Sequence, residues 1–151
     1  MQKMRKIYYA LGACVAVAAG ALYCVLGEMR IPCCWLPSCA KTFVATYFPT
    51  AGCVSAARVR DAGQPTYEVL LDNGAHLCFD AQGRWTRVEC RYSPVPAGIV
   101  PEPISGDLAG RYPDAVVCKI AWEYGGYELS IGNGLDLIYA ADGTFICEER
   151  P

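Results

Sequence analysis

Histidine is nearly absent from this chain of 151 residues, and basic residues are not in excess. His76 is the single histidine, and 13 lysines and arginines stand against 15 aspartates and glutamates, a formal charge of −2. A nucleic-acid-binding protein needs a basic stripe to neutralise phosphates, so this charge argues against that class. A catalytic triad or a zinc site needs more partners than one histidine supplies. We therefore expect His76 to be a surface residue and no metal to be bound.

Motifs of the common enzyme classes are missing as well. The sequence has no Gly-x-Ser-x-Gly, no phosphate-binding loop and no dinucleotide fingerprint. Cys33, Cys34 and Cys39 lack the Cys-x-x-Cys spacing of a metal knuckle or a thioredoxin-like site. These absences predict a non-enzymatic protein without a cofactor. The hydrophobic fraction of 54% excludes a disordered chain.

Much of the apolar excess lies at the N-terminus. The first six residues carry three basic side chains and no acid, and residues 7–27 contain no charge. This pattern is typical of a secretory signal, and small-x-small sequences such as residues 16–18 suit signal peptidase. An apolar run of about 20 residues can also span a bilayer. Residues 1–27 are therefore predicted to be either a signal peptide or an N-terminal membrane anchor, and membrane contact is expected only there.

Lipidation is a weaker alternative for this segment. Cys14 follows a small-residue box, but only four apolar residues precede that box. A working signal has an apolar region of about 7–15 residues. In each case we expect the remainder of the chain to be exported to the periplasm or the cell envelope.

Two similar stretches follow the N-terminal segment, with matching or related residues in the same order at a nearly constant spacing. The matched pairs are Tyr47-Phe48-Pro49-Thr50-Ala51 with Arg111-Tyr112-Pro113-Asp114-Ala115, Tyr67-Glu68-Val69 with Tyr127-Glu128-Leu129, Asn73-Gly74 with Asn133-Gly134, and Leu77-x-Phe79 with Leu137-x-Tyr139. Such self-similarity indicates a repeated structural unit. We predict two tandem repeats, residues 28–90 and 103–151, joined by a proline-rich linker at residues 91–102.

Each repeat begins with a helical pattern and continues with four strands. Apolar residues at helical spacing define the first helix strongly and the second more weakly: Leu36, Ala40, Phe43, Val44 and Tyr47, then Ile104, Leu108 and Tyr112. Pro49 and Pro113 should end both helices, because the residue before proline avoids the helical region. The predicted fold is α+β, two α-β-β-β-β units with about eight antiparallel strands, two helices on one face and an open sheet face on the other.

Glycines set the strand register. We take Asp72-Asn73-Gly74 and Gly132-Asn133-Gly134 as three-residue hairpin loops whose last glycine is left-handed. Val69 then faces Leu77, and a similar loop ending at Gly83 places Phe79 opposite Trp85, so the large apolar residues share one face. In the second repeat a turn at Gly125-Gly126 adds Cys118, Ile120, Trp122 and Tyr124 to that face.

The opposite face is the candidate binding face. Its predicted residues come from the alternation along the strands and, for Asp72, from the tip of the first hairpin. They are Glu68, Leu70, Asp72, His76, Asp80, Val88, Glu128, Asp136 and Ile138. Its acids favour a basic protein or peptide as partner, and Leu70, Val88 and Ile138 would supply apolar contact. The alternative is an acidic face that is merely solvated.

The same register constrains the cysteines. Cys78 and Cys90 lie about four residues apart along adjacent strands, roughly 13 Å and too far for a bond. Cys118 and Cys147 are predicted to point to the core on strands that are not neighbours. Bonds within either sheet unit are not expected. Bonds to the segment 33–39, bonds across the repeats and free thiols all remain open.

The repeated residues resemble a known family. Phe48-Pro49-Thr50-Ala51, Tyr67-Glu68-Val69, Asn73-Gly74, the Phe79-Asp80 turn with Gly83 and the aromatic Trp85, each with a second copy, are similar to the PepSY-like, β-lactamase-inhibitor-like domains of exported proteins from gut Bacteroidetes. The resemblance covers roughly residues 36–149. It implies one broad antiparallel sheet, export and no known catalysis. Inhibitors of this architecture bind an enzyme through the open sheet face and through acidic and aromatic hairpin tips, where this chain offers Asp72, Gly132 and Asn133.

Three functional hypotheses follow from these observations. The first is an exported, non-enzymatic module that binds a protein or peptide of the cell envelope on its open sheet face, an inhibitor or regulator of an envelope enzyme being one form. The second is a membrane-anchored structural or accessory domain of the envelope. The third is a redox protein that uses Cys33, Cys34 or Cys39.

Overall fold

A computed structural model describes residues 28–150, and the predicted signal peptide or anchor at residues 1–27 lies outside this range. Nine antiparallel strands form one sheet in chain order, which confirms the α+β class with one strand more than expected. The elements are β1 (Met29–Ile31), a 3-10 turn (Cys33–Trp35), α1 (Ser38–Tyr47), β2 (Cys53–Asp61), β3 (Gln64–Leu71), β4 (Ala75–Phe79), β5 (Trp85–Cys90), α2 (Glu102–Arg111), β6 (Val117–Glu123), β7 (Gly126–Ile131), β8 (Leu135–Ala140) and β9 (Phe145–Glu149).

Both helices end where the prolines predict. The residues Phe48 and Tyr112 leave the helical conformation directly before Pro49 and Pro113. Neither helix in the described part of the chain has the length and apolarity needed to cross a membrane.

One continuous core joins the helices to the sheet. Its most enclosed side chains come from both halves of the chain and include Leu77, Phe79, Ile104, Leu137 and Tyr139. The stretch predicted as a linker contributes Val95 and Ile99 to the same core, and the Val95 N–H donates to the carbonyl oxygen of Val117 at 2.8 Å. The two helix-and-sheet units therefore share a single apolar interior.

Tight turns hold each helix against the sheet. Gly83 has a left-handed φ of +80°, and a Cβ there would lie 2.7 Å from the Cβ of Pro37 at the start of α1. Gly143 repeats this contact with Pro103 of α2, where the distance would again be 2.7 Å. The left-handed glycines predicted for the β3–β4 and β7–β8 loops are also observed, with φ of +81° at Gly74 and +78° at Gly134.

A β-bulge near the start of β5 corrects the predicted register. Phe79 faces Trp85 as expected, but Cys78 faces Arg87, so Thr86 is an extra residue. Because one inserted residue reverses which face the following side chains occupy, Val88 faces Leu77 in the core and is 0% exposed. The placement of Val88 on the open face is therefore wrong.

A second bulge lies at the equivalent place between β8 and β9. Tyr139 faces Phe145, whereas Ile138 faces Cys147, so Ile146 is the extra residue. Cys147 consequently shares the face of Ile138, and its predicted orientation toward the core is wrong.

The β6–β7 turn differs by one residue from the prediction. Glu123 pairs with Gly126, and the two loop residues are Tyr124 and Gly125, both with positive φ. This is the conformation of a two-residue hairpin turn of the primed type. Tyr124 is therefore an exposed tip residue rather than a member of the apolar face.

A disulfide joins Cys33 to Cys53, with the two Cα atoms 6.5 Å apart. It connects the turn after β1 to the start of β2 and is one of the pairings that the sequence left open. Cys34, Cys39, Cys78, Cys90 and Cys118 are free thiols. Cys78 and Cys90 are unbonded as predicted, and the bulge also places them on opposite faces of the sheet.

Candidate functional site

The face away from the helices presents two rows of side chains that run across neighbouring strands. We call them the central row and the second row. The central row is Arg30, Ala57, Glu68, Cys78, Arg87, Ala121, Glu128, Ile138 and Cys147. The second row is Ser55, Leu70, His76, Glu89, Lys119, Ser130, Asp136 and Glu149.

Six of the nine predicted site residues lie in these rows. Glu68, Glu128 and Ile138 belong to the central row, and Leu70, His76 and Asp136 belong to the second. They do not form one compact cluster, since they are spread from β3 to β8.

The other three predicted residues lie elsewhere. Asp72 is at the exposed tip of the β3–β4 hairpin. Asp80 lies in the β4–β5 turn, where its Oδ1 accepts the backbone N–H groups of Gln82 and Arg84, each at 2.9 Å. Its Oδ2 pairs with Arg84 Nε at 2.8 Å, so this carboxylate holds the turn together. Val88 is buried in the core.

Sequence reasoning missed the basic residues of the open face. The alternation of side chains along β6, in which the neighbouring Ile120 is buried, was sufficient to place Lys119 on the open face. Its Nζ lies 2.6 Å from Glu128 Oε1. Arg87 reaches this face only because of the bulge, and its Nη2 lies 2.5 Å from Glu123 Oε1. Arg30 lies on β1, a strand too short for a periodic pattern to predict which face its side chain occupies. The face is therefore of mixed charge rather than simply acidic.

These ion pairs belong to one half of the face. We call β1–β4 the first half of the sheet and β5–β9 the second half. In the second half, Ser130 Oγ also donates to Asp136 Oδ1 at 2.5 Å. In the first half, His76 Nε2 lies 3.7 Å from Glu68 Oε2. The polar contact with His76 lowers the pKa of the Glu68 carboxyl, against the opposing effect of partial burial, so Glu68 is ionised at neutral pH.

A shallow cleft of about 190 Å³ opens in the first half. It forms because the small Ala57 lies between the long side chains of Arg30 and Glu68 on the neighbouring strands. Its rim includes Ser55 and the 40% exposed Leu70. The cleft combines two carboxylates, a guanidinium, an imidazole and an apolar wall, which are groups suited to holding a side chain of a partner.

The thiol of Cys78, in the middle of the central row, has low reactivity. Burial, together with the negative charge of Glu68, raises the pKa of Cys78 to about 12. Since the thiolate is the reactive form, Cys78 is a poor nucleophile at neutral pH. Within residues 28–150, no group of three or more His, Cys, Asp or Glu side chains is placed to hold a metal ion.

The comparisons with known proteins identify the family. A family model described as "Putative beta-lactamase-inhibitor-like, PepSY-like" matches residues 65–147. The chain therefore belongs to the PepSY-like family, as the repeated residues predicted.

Solved structures from Bacteroides share the fold over most of the chain. A Bacteroides vulgatus protein described as a "putative periplasmic protein from DUF2874 family" is 34% identical, with a TM-score of 0.78 over 82% of this chain and 97% of that one. A Bacteroides thetaiotaomicron protein described as a "putative calcium-regulated periplasmic protein" is 28% identical, with a TM-score of 0.77 over 82% of this chain and 97% of that one. A search of curated proteins found no match.

Proposed function

We propose that this protein is an exported, non-catalytic binding module that engages a protein or peptide of the cell envelope on its open sheet face. The observation that carries the proposal is the open cleft beside the exposed Leu70, on a sheet face that neither helix covers. The description of its Bacteroides relatives as periplasmic supports the location. An inhibitor or regulator of an envelope enzyme is the specific form that the family description suggests.

The first half of the face is the better candidate for partner contact. In the second half, Lys119 and Arg87 already pair with carboxylates of the same chain, so a partner would have to compete with those ion pairs. In the first half, Leu70 is 40% exposed beside the cleft. An exposed apolar residue surrounded by polar groups is the arrangement found at the centre of many transient interfaces.

Affinity capture from envelope extract tests this function. A Leu70→Lys/Ile138→Lys variant places charge on the apolar positions of both halves and should lose the partners that the wild-type protein retains. Val116→Lys is the matched control, because Val116 is also an exposed apolar residue, half exposed, but lies in the loop before β6. Identical partner lists for wild type and the double variant would refute binding on the open face.

A further inference from the structure

The two halves of the open face contain the same local arrangement of residues. Ala121 of β6 lies between Arg87 of β5 and Glu128 of β7. Ala57 of β2 lies in the same way between Arg30 of β1 and Glu68 of β3. In both halves a small residue therefore leaves a depression between an arginine and a glutamate.

The second half fills its depression with its own side chains. Lys119 Nζ binds Glu128 Oε1 at 2.6 Å. Arg87, which faces Ala121, binds Glu123, two residues after that alanine on β6. Both residues of the Lys119–Glu128 pair are mostly enclosed, with 22% and 29% of their side chains exposed. Ala121 beneath them is 0% exposed.

The first half lacks the residue that would fill its depression. The position equivalent to Lys119 is Ser55, since Ser55 pairs with Leu70 as Lys119 pairs with Ser130. A serine side chain is too short to reach Glu68 as a lysine does. The open cleft of the first half lies beside Ser55, at the position where the second half has Lys119.

The charge of the cleft favours a cation. Its charged and titratable lining residues are the two carboxylates Glu28 and Glu68, the guanidinium of Arg30 and the imidazole of His76. Glu68 is 46% exposed, and its contact with His76, at 3.7 Å, is longer than the Lys119–Glu128 pair. Leu70 and Ala57 offer apolar surface of the kind that the methylene stem of a lysine covers.

We propose that this cleft receives a lysine side chain of the partner, whose ammonium pairs with Glu68 as that of Lys119 pairs with Glu128. The proposal deepens the open-face function and rests on it. The partner's contact segment is thereby defined as a peptide or protein surface with an exposed lysine beside apolar residues.

A titration of the full chain with short peptides tests the proposal by NMR. The probe is N-acetyl-Gly-Lys-Gly-amide, compared with peptides that carry norleucine or glutamate in place of lysine. The lysine peptide should shift the amide signals of Ala57, Glu68 and His76 saturably, with half-saturation on the order of millimolar. The norleucine and glutamate peptides should bind roughly fivefold more weakly or not at all.

Two variants with the same added charge locate the effect. Ser55→Lys should supply the missing ammonium from the chain itself and abolish the peptide-induced shifts. Ala45→Lys adds the same charge at an exposed position of α1 and should leave the shifts unchanged. Equal binding of the lysine and norleucine peptides, or unchanged binding by Ser55→Lys, would overturn the lysine assignment. If the peptides give such a result but the Leu70→Lys/Ile138→Lys variant still loses partners in affinity capture, only the lysine assignment is wrong. If that variant retains the same partners as wild type, the open-face function itself is wrong.

Discussion

The Cys33–Cys53 disulfide should contribute measurably to stability. It closes a loop with a sequence separation of 20 residues, and restricting such a loop in the unfolded chain is worth about 3 kcal/mol. The two cysteines also pack against the edge of the core, so shortening them removes some apolar contact as well. We therefore expect Cys33→Ala/Cys53→Ala to lower the free energy of unfolding by about 3 kcal/mol.

Urea unfolding followed by tryptophan fluorescence measures this loss. With a urea dependence of about 1–3 kcal/mol per molar for a small domain, the midpoint should fall by roughly 1–3 M. Cys34→Ala is the matched control, because Cys34 adjoins the disulfide in sequence but is an exposed free thiol. The urea midpoint of this control should correspond to a free energy of unfolding within about 0.5 kcal/mol of wild type.

Two results would refute this reasoning. A loss below about 1 kcal/mol in the double variant would show that the loop is already restricted in the unfolded chain, or that the bond is strained when folded. Detection of Cys33 and Cys53 as free thiols in the oxidised native protein, by peptide mapping after alkylation, would show that the bond does not form.

Two further predictions concern the open face and its register. Val88→Ala should lower the free energy of unfolding by about 2 kcal/mol, because Val88 is buried in the core. Ile138→Ala, on the partly solvated face, should lower it by less. If urea unfolding shows the reverse order, the bulge that places Val88 in the core is contradicted. Cys78 should react with iodoacetamide at pH 8 far more slowly than the exposed Cys34 and Cys39, since its pKa is raised to about 12. Equal rates by mass spectrometry would contradict that environment.

Local chemistry was sufficient to predict most elements of the fold. Prolines at fixed positions ended both helices, and left-handed glycines defined the three-residue hairpin loops. Because side chains alternate strictly along a strand, these loops placed Val69 opposite Leu77 and put six of the nine candidate residues on the open face. The repeated residues also predicted the family correctly.

The bulges escaped prediction because their extra residues carry no signal of their own. Thr86 and Ile146 are ordinary strand residues, and only the pairing of β5 with β4 and of β9 with β8 shows that each is unpaired. Each extra residue reverses the face of those after it, which moved Val88 into the core and brought Arg87 onto the open face.

The chain by itself determined where both helices end and where the three-residue hairpin loops lie, since prolines, left-handed glycines and alternation act on residues close in sequence. Tertiary structure decided what lies beside Ala57 and which cysteine bonds Cys33. Both depend on the position of β1, a strand of three residues whose neighbour β2 begins more than twenty residues later. Contacts across such a distance are set by how the sheet assembles, so the cleft on the open face is visible only once the strands are in place.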